Sequence, residues 1–217
     1  MTPIDFLGHP LFLLPMGAAF DAETGSLFIA DPHLGKSAVF RAAGLGVPDG
    51  PDANVLARIG DLIDQTSARS LVILGDVFHA RRAKMEPTVS LLSAWRATHA
   101  RLPWLVVPGN HDRGVPWHTW LPGVEVLAEG DRFGPWKLAH HPPEFSDEPV
   151  LCGHLHPGIS FGLARRTKVK APCFWMRRGV LVLPAIGEFT GLGIIDREPG
   201  DRVWLAAGPT VMEVPGK

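Results

Sequence analysis

Five short motifs lie along this 217-residue chain in a fixed order: Asp31-Pro32-His33, Gly75-Asp76-Val77-Phe78-His79, Gly109-Asn110-His111-Asp112, His140-His141 and Gly153-His154-Leu155-His156. Between them they hold seven of the ten histidines, each motif placed just after an apolar run. Imidazole, carboxylate and amide groups in this number can hold two divalent ions that share one carboxylate. Such ions, roughly 3.5–4 Å apart, polarise a phosphate ester together, and a hydroxide held between them attacks phosphorus in line. Asp76 is the natural bridge, because its two oxygens can touch both ions. Asp31, His33 and His156 would complete the first site, and Asn110, His140 and His154 the second. Asp31-x-His33 and His154-x-His156 then need kinked loops to turn both side chains to one place, and Pro32 and the nearby glycines suit such bends. His140 and His141 compete for one ligand position; His140 is preferred, with His141 behind it. His79 either backs the ligands or is simply packed. The mixed nitrogen and oxygen set excludes a thiolate zinc site and suits manganese, iron or zinc. His111 follows a ligand asparagine, so it is expected beside the substrate, giving a hydrogen bond or proton to the phosphate or leaving group, with Asp112 orienting it. Singly, each motif has a plainer reading as a turn, a helix cap or a surface loop. Five in this order, each after a strand, do not.

The runs that lead into the motifs are Ser26 to Ala30, Ser70 to Leu74, Trp104 to Val107, Trp136 to Ala139 and Val150 to Cys152. They are short and rich in β-branched or bulky residues, which predicts buried strands. Asp52 to Thr66 carries Val55, Leu56, Ile59, Leu62 and Ile63 on one helical face, with Asp52 as N-cap. Pro87 to His99 carries Val89, Leu91, Leu92 and Trp95, with Pro87 in the first turn. Strand, helix, strand, helix, strand implies parallel pairing with right-handed crossovers, and ligands then gather beyond the carboxyl ends of the strands. Gly179 to Leu183, Leu192 to Asp196, Arg202 to Leu205 and Thr210 to Val214 predict further strands. The expectation is an α/β half followed by a β-rich half, as two packed sheets flanked by helices.

The length fits one domain over residues 1–217 with a substantial core. With 21 basic and 22 acidic residues, bulk charge argues neither for nor against nucleic acid, so any anion site must be local. Near-zero net charge leaves self-association open, a homodimer included. Cys152 and Cys173 are too few for a disulfide framework and read as buried free thiols in a reducing cytoplasm. Met1 to Pro15 has no basic lead and no long apolar run, so it reads as neither signal peptide nor membrane span. The 24 glycines and 21 prolines imply turns and short strands and argue against a helix bundle.

The ordered motifs from Asp31 to His156 resemble the calcineurin-like metallophosphoesterase superfamily. The resemblance implies a four-layer α/β/β/α sandwich with a binuclear site at the strand ends, and it supports the ligands above and the role of His111. Ala30-Asp31-Pro32-His33-Leu34-Gly35-Lys36, Gly75 to Ala80, Pro172-Cys173-Phe174-Trp175 and Leu183-Pro184-Ala185 look like the DNA-ligase-associated branch. That branch implies a manganese-dependent phosphodiesterase and single-strand DNA endonuclease in DNA repair, associated with a ligase, a helicase and an exonuclease. Pro32 departs from the pattern, which has a leucine-like residue there.

A nuclease must hold a phosphate backbone. Lys36 and Arg41 follow the first motif, Arg81, Arg82 and Lys84 the second, and Arg113 the third; Arg165, Arg166, Lys168 and Lys170 form the densest basic cluster. Lys36, Arg41, Arg113, Arg165 and Arg166 are the expected substrate contacts. Trp117 and Trp120 could stack on bases, although such residues more often pack a core. The leading expectation is a metal-dependent phosphodiesterase acting on DNA. A phosphodiesterase or phosphatase of small substrates, such as a cyclic nucleotide or phosphomonoester, is the alternative. A non-catalytic scaffold would show degenerate ligands, and none is degenerate here.

Overall fold

The computed structural model describes residues 1–216 except 43, 45, 47–49, 80–85 and 165–166. The N-terminal apolar patch is a β-hairpin. Strands β1 (Thr2–Phe6) and β2 (His9–Leu13) pair antiparallel, with Phe6 opposite His9. The two residues between them, Leu7 and Gly8, both have positive φ, as the tight turn favoured by right-twisted strands requires. Ile4 and Phe6 point into the core, as do Leu11 and Leu13. Next come β3 (Ala19–Asp21), β4 (Ser26–Ala30), helices α1 (Lys36–Ala42) and α2 (Pro51–Thr66), β5 (Ser70–Leu74), α3 (Glu86–Thr98), β6 (Trp104–Val107), α4 (Trp117–Trp120) and β7 (Val124–Val126). β1 to β7 form one sheet in chain order, antiparallel as far as β4 and parallel from β4 to β7. β4, β5 and β6 are buried on both faces, which is why they read as continuous apolar runs.

The second sheet holds β8 (Arg132–Phe133), β9 (Trp136–Leu138), β10 (Val150–Cys152), β11 (Pro157–Ala164), β12 (Thr167–Arg177), β13 (Val180–Val182), β14 (Gly193–Ile194), β15 (Arg202–Leu205) and β16 (Met212–Val214). Its order is β14-β11-β12-β13-β10-β9-β8, with β15 on β12 and β16 on β15. β9, β10 and β13 run parallel. The strand pattern sorts the core. Leu27, Ile29, Leu71, Ile73 and Val106 face α2 and α3, meeting Val55, Leu56, Ile59, Leu62, Ile63 and Leu92. The alternate residues Phe28, Ala30, Val72, Leu74, Leu105 and Val107 face the second sheet, meeting Trp136, Leu138, Leu151, Phe174, Leu181 and Trp204. The far side of the second sheet buries Cys152, Cys173, Trp175 and Val182. Among the described residues that side is covered by loop segments and not by helices. Trp175 Nε1 donates to Asp201 from one of them, at 2.9 Å.

Two local expectations change. Asp52 is not the N-cap of α2. Gly50 takes that position with φ of 102° and no side-chain cap, and Pro51 opens the helix. The Asp52 carboxylate instead accepts the Gly35 N–H at 3.0 and 3.1 Å and the Thr88 hydroxyl at 3.0 Å. Leu91 of α3 is exposed, while Leu92 is buried and Val89 and Trp95 partly so. Trp117 and Trp120 pack on Phe78, with ring centroids 6.1 and 5.2 Å away, so they cover the core beneath the third motif. Both cysteines are buried free thiols. Among the described residues no helix is long and apolar enough to cross a membrane.

Candidate metal centre

The parallel strands β4, β5 and β6 end side by side, so Asp31, Asp76 and Asn110 emerge next to one another. Opposite them β9 and β10 lead, two residues past their ends, to His140 and His154. A bridge between Ala30 and Ala185 ties the carboxyl ends of the two sheets together. Convergence needs more than position. Same-face residues on an extended strand stand roughly 6.6 Å apart, too far to share an ion. Asp31 and His33 have φ of 51° and 47°, His154 and His156 of 71° and 46°, and Asp76 of 44°. Among the described residues these are five of ten non-glycine residues in the left-handed region. Asp and His tolerate that region better than most side chains, at about 1–3 kcal/mol each. Pro32 between Asp31 and His33 does not prevent the kink. Three motif glycines leave the space the ligands occupy: a Cβ on Gly75 would land on His140 Nδ1, one on Gly109 on Asp76 Oδ1, and one on Gly153 on Asp31 Oδ2.

Two donor sets result, and they meet at one oxygen. Asp76 Oδ2 is 3.9 Å from His33 Nε2 and 3.6 Å from His140 Nε2. In the first set His33 Nε2 is 3.1 Å from His156 Nε2, and His156 Nε2 is 3.7 Å from Asp31 Oδ2. In the second, His140 Nε2 is 3.1 Å from Asn110 Oδ1 and 3.0 Å from His154 Nδ1. His140 Nδ1 lies 3.4 Å from the Leu74 carbonyl, which steadies the ring with Nε2 turned to the set. All seven expected ligands are therefore gathered. Between the two adjacent histidines the geometry favours His140, which is fully buried. His141 is exposed, and its Nδ1 sits 2.7 Å from Glu129 Oε1 while its ring packs 4.4 Å from that of His154.

The electrostatics suit a cation. Asp31 is buried; its Oδ2 accepts the His154 N–H at 2.8 Å, whereas its Oδ1 has no hydrogen-bond partner. Burial drives its carboxyl well above the usual range, and the nearby Asp76 and Asp112 add to this. Burial, with His156 and Lys36 close by, pushes the His33 imidazole down to about 2. Burial likewise takes His140 and His79 down to about 4 and lowers His154 and His156. Burial thus disfavours charge on these side chains, while imidazole nitrogens and carboxylate oxygens converge at 3.1–3.9 Å. A divalent ion resolves that arrangement, and the nitrogen and oxygen donors fit one. Neither thiol reaches the cluster, since both cysteines lie on the far side of the second sheet.

His111 sits at the rim. It is exposed, its ring centroid is 5.3 Å from that of His33, and its ring stacks at 4.8 Å on His79. Its backbone N–H donates to Asp76 Oδ1 at 2.8 Å. His79 Nδ1 is 3.3 Å from His33 Nδ1, so His79 touches both His33 and His111. Asp112 departs from its expected part. It is buried and accepts three backbone N–H groups, from Gly109 at 2.9 Å, Phe78 at 3.0 Å and Val77 at 3.2 Å. It ties the second motif to the third, and burial pushes its carboxyl up to about 6 despite those bonds. Lys36 is half-buried with its ammonium close enough to depress His33, His79 and His156. Arg113 is exposed just past His111. Arg41 belongs to α1, but its side chain, like Arg81, Arg82, Lys84, Arg165 and Arg166, lies outside the described residues.

Three supports of the site lie outside the motifs. Asp52 binds the backbone two residues past His33. Glu129 holds His141. The segment from Ile186 to Gly193 is stitched to both first-set loops, by Ile186 N–H to Ala30, Gly187 N–H to Asp31 at 3.2 Å and Gly193 N–H to His156 at 3.0 Å. An acid at a helix start or a glycine in a loop carries no mark of such distant partners.

Comparison with known proteins agrees with this geometry. The family model of the calcineurin-like phosphoesterases matches residues 26–170. Comparison with curated protein sequences gives no significant match. Among solved structures, the Pseudomonas putida nuclease MPE superposes with a TM-score of 0.83 at 33% identity, covering 98% of each chain. YfcE, a phosphoesterase from E. coli, superposes with a TM-score of 0.44 at 16% identity, covering 83% of this chain and 86% of the other. The matched region contains every motif of the two donor sets, and the chain belongs to the calcineurin-like phosphoesterase family, whose members are metal-dependent phosphoesterases.

Proposed function

We infer that this chain is a two-metal phosphodiesterase that cuts DNA internally, and that it serves DNA repair. The observation that carries the reading is the single Asp76 oxygen between two donor sets, with the exposed His111 ring beside it. The 33% identity to a nuclease over 98% of both chains supports the choice of substrate, and the motifs shared with the DNA-ligase-associated branch support the repair setting, beside a ligase, a helicase and an exonuclease. Asp31, His33 and His156 would hold one ion, Asn110, His140 and His154 the other, and Asp76 both. Manganese is the expected metal, with iron and zinc also suited to these donors. When bound, such ions supply Lewis acidity and an activated water.

The remaining residues position and neutralise. Lys36, near His33, and the exposed Arg113, two residues past His111, would offer cations for non-bridging phosphate oxygens. His111 donates a ring N–H to the phosphate or a proton to the departing oxygen, and its stack on His79 fixes the plane from which it does so. Asp112 acts at one remove, holding the loops that carry Asp76 and Asn110.

The test is manganese-dependent hydrolysis of bis-p-nitrophenyl phosphate, the mono-ester and circular single-stranded DNA, run beside His111→Ala. The expected result is cleavage of diester and circle, with kcat down by about 10²–10⁴ in the variant and its metal content intact. Loss of both metals in His111→Ala would make it a ligand. Diester cleavage with an intact circle would move the substrate to small phosphodiesters.

A further inference from the structure

The strand register places a cationic ribbon above the metal centre. Cys152 of β10 is level with Val182 of β13, and Val182 with Trp175 of β12. His154 lies two residues beyond that level. β12 runs antiparallel to β13, so each residue before Trp175 stands one step further past the carboxyl ends where the ligands emerge. Lys170 is five steps on, about 17 Å at roughly 3.3 Å per residue. β11 starts at Pro157, directly after His156, and rises beside it. On this ribbon β14 pairs with β11 only at Pro157 and Gly158, and β15 pairs with β12 only from Cys173 to Met176. Above these, among the described residues, β11 and β12 pair only with each other: Ser160 with Lys170, Phe161 with Val169 and Gly162 with Lys168.

The faces of this ribbon follow from alternation. Phe174 and Met176 point to the core between the sheets, and Cys173 and Trp175 to the far side. Lys168 and Lys170 therefore share the side of Phe174, which higher up is the side of the metal centre. Both are exposed, and across from them stand only Gly162 and Ser160. The opposite face carries Ile159, Phe161 and Val169. No acidic residue occurs from Pro157 to Arg177 in a chain whose net charge is −1. Lysines also guard free strand edges against pairing. Guarding alone does not require both cations on the side of the metal centre, opposite the smallest side chains.

We propose that the β11–β12 ribbon is a strand-holding arm: Lys168, Lys170 and Ser160 grip the phosphates of a single nucleic-acid strand outside the one being cleaved. The proposal rests on the nuclease reading above and specifies how it would tell a polymer from a small diester. The test is the double variant Lys168→Gln, Lys170→Gln, with binding of a labelled oligothymidylate measured across salt concentrations, and turnover of circular single-stranded DNA and bis-p-nitrophenyl phosphate measured in parallel. Two lost phosphate contacts should flatten the slope of log affinity against log salt by about 1.4 and raise KM for the circle about tenfold. The aryl diester should be turned over as before, which also shows that the variant folds. Unchanged salt slope and KM would overturn the arm and leave the lysines as edge guards; so would an equal loss on the aryl diester. A wild-type protein that hydrolyses the diester but neither binds nor cuts DNA would remove the nuclease reading and the arm with it. Wild-type DNA cleavage untouched by the double variant would remove the arm alone.

Discussion

Asp76 and Asp112 lie in one site and are held by opposite means. Asp76 keeps Oδ2 directed at two imidazoles, whereas both oxygens of Asp112 are taken up by backbone N–H groups. Removing Asp112 leaves three buried donors without partners, each worth about 1–3 kcal/mol. Asp112→Ala is therefore expected to lower unfolding free energy by about 3 kcal/mol or more, read from urea denaturation. Full stability with lost turnover would restore Asp112 to the chemistry. In the sequence the two aspartates look alike, each following a strand and a glycine or histidine. What separates them is which groups the fold leaves opposite their oxygens.

At the scale of the element, the strand-to-loop junctions carry the site and the helices brace them. α2 does so through Asp52, which reaches out of its first turn to the Gly35 N–H. A charged acceptor on a partly buried N–H contributes about 1–2 kcal/mol. Asp52→Ala should cost that much in stability and, because the Asp31–Gly35 loop loosens, should weaken metal binding about tenfold or more, measured by titration with manganese. Unchanged metal affinity would show that the loop holds its kink without help from α2. Periodicity made α2 and the buried strands legible, since burial on a face repeats along an element. An aspartate at a helix start serves equally well as a cap or as a tether, and only the position of Gly35 decides between them. The β11–β12 pair is not legible as strands because glycines and lysines break the alternation that marks a half-buried strand.

For the whole molecule, two sheets held face to face by Phe28, Trp136, Phe174 and Trp204 bring the strand ends together, and there the buried Asp31 keeps Oδ1 without a hydrogen bond, 3.5 Å from His140 Nδ1. Folding must bear that cost until a cation binds. Metal binding to the folded chain should stabilise it by about 2.7 kcal/mol at a hundredfold excess over Kd, so chelation should lower Tm and manganese should raise it in a concentration-dependent way. A Tm indifferent to manganese, followed by scanning calorimetry, would mean that the folded site does not take up the ion.

The sequence by itself determined the residue types of both donor sets, their order, and their place after buried strands, because each is a local property that a strand of known period carries with it. It also made the family resemblance legible, since the motifs are contiguous. Tertiary structure decided what depends on distance through space: that one oxygen of Asp76 lies between both sets, that His140 is buried among them while His141 is exposed beside His154, that Asp112 braces loops, and that the second sheet sends a lysine-bearing ribbon past the candidate metal centre. Those choices rest on register between strands far apart in the chain and on left-handed turns at Asp31, His33, His154 and His156, and neither leaves a periodic trace in the order of residues.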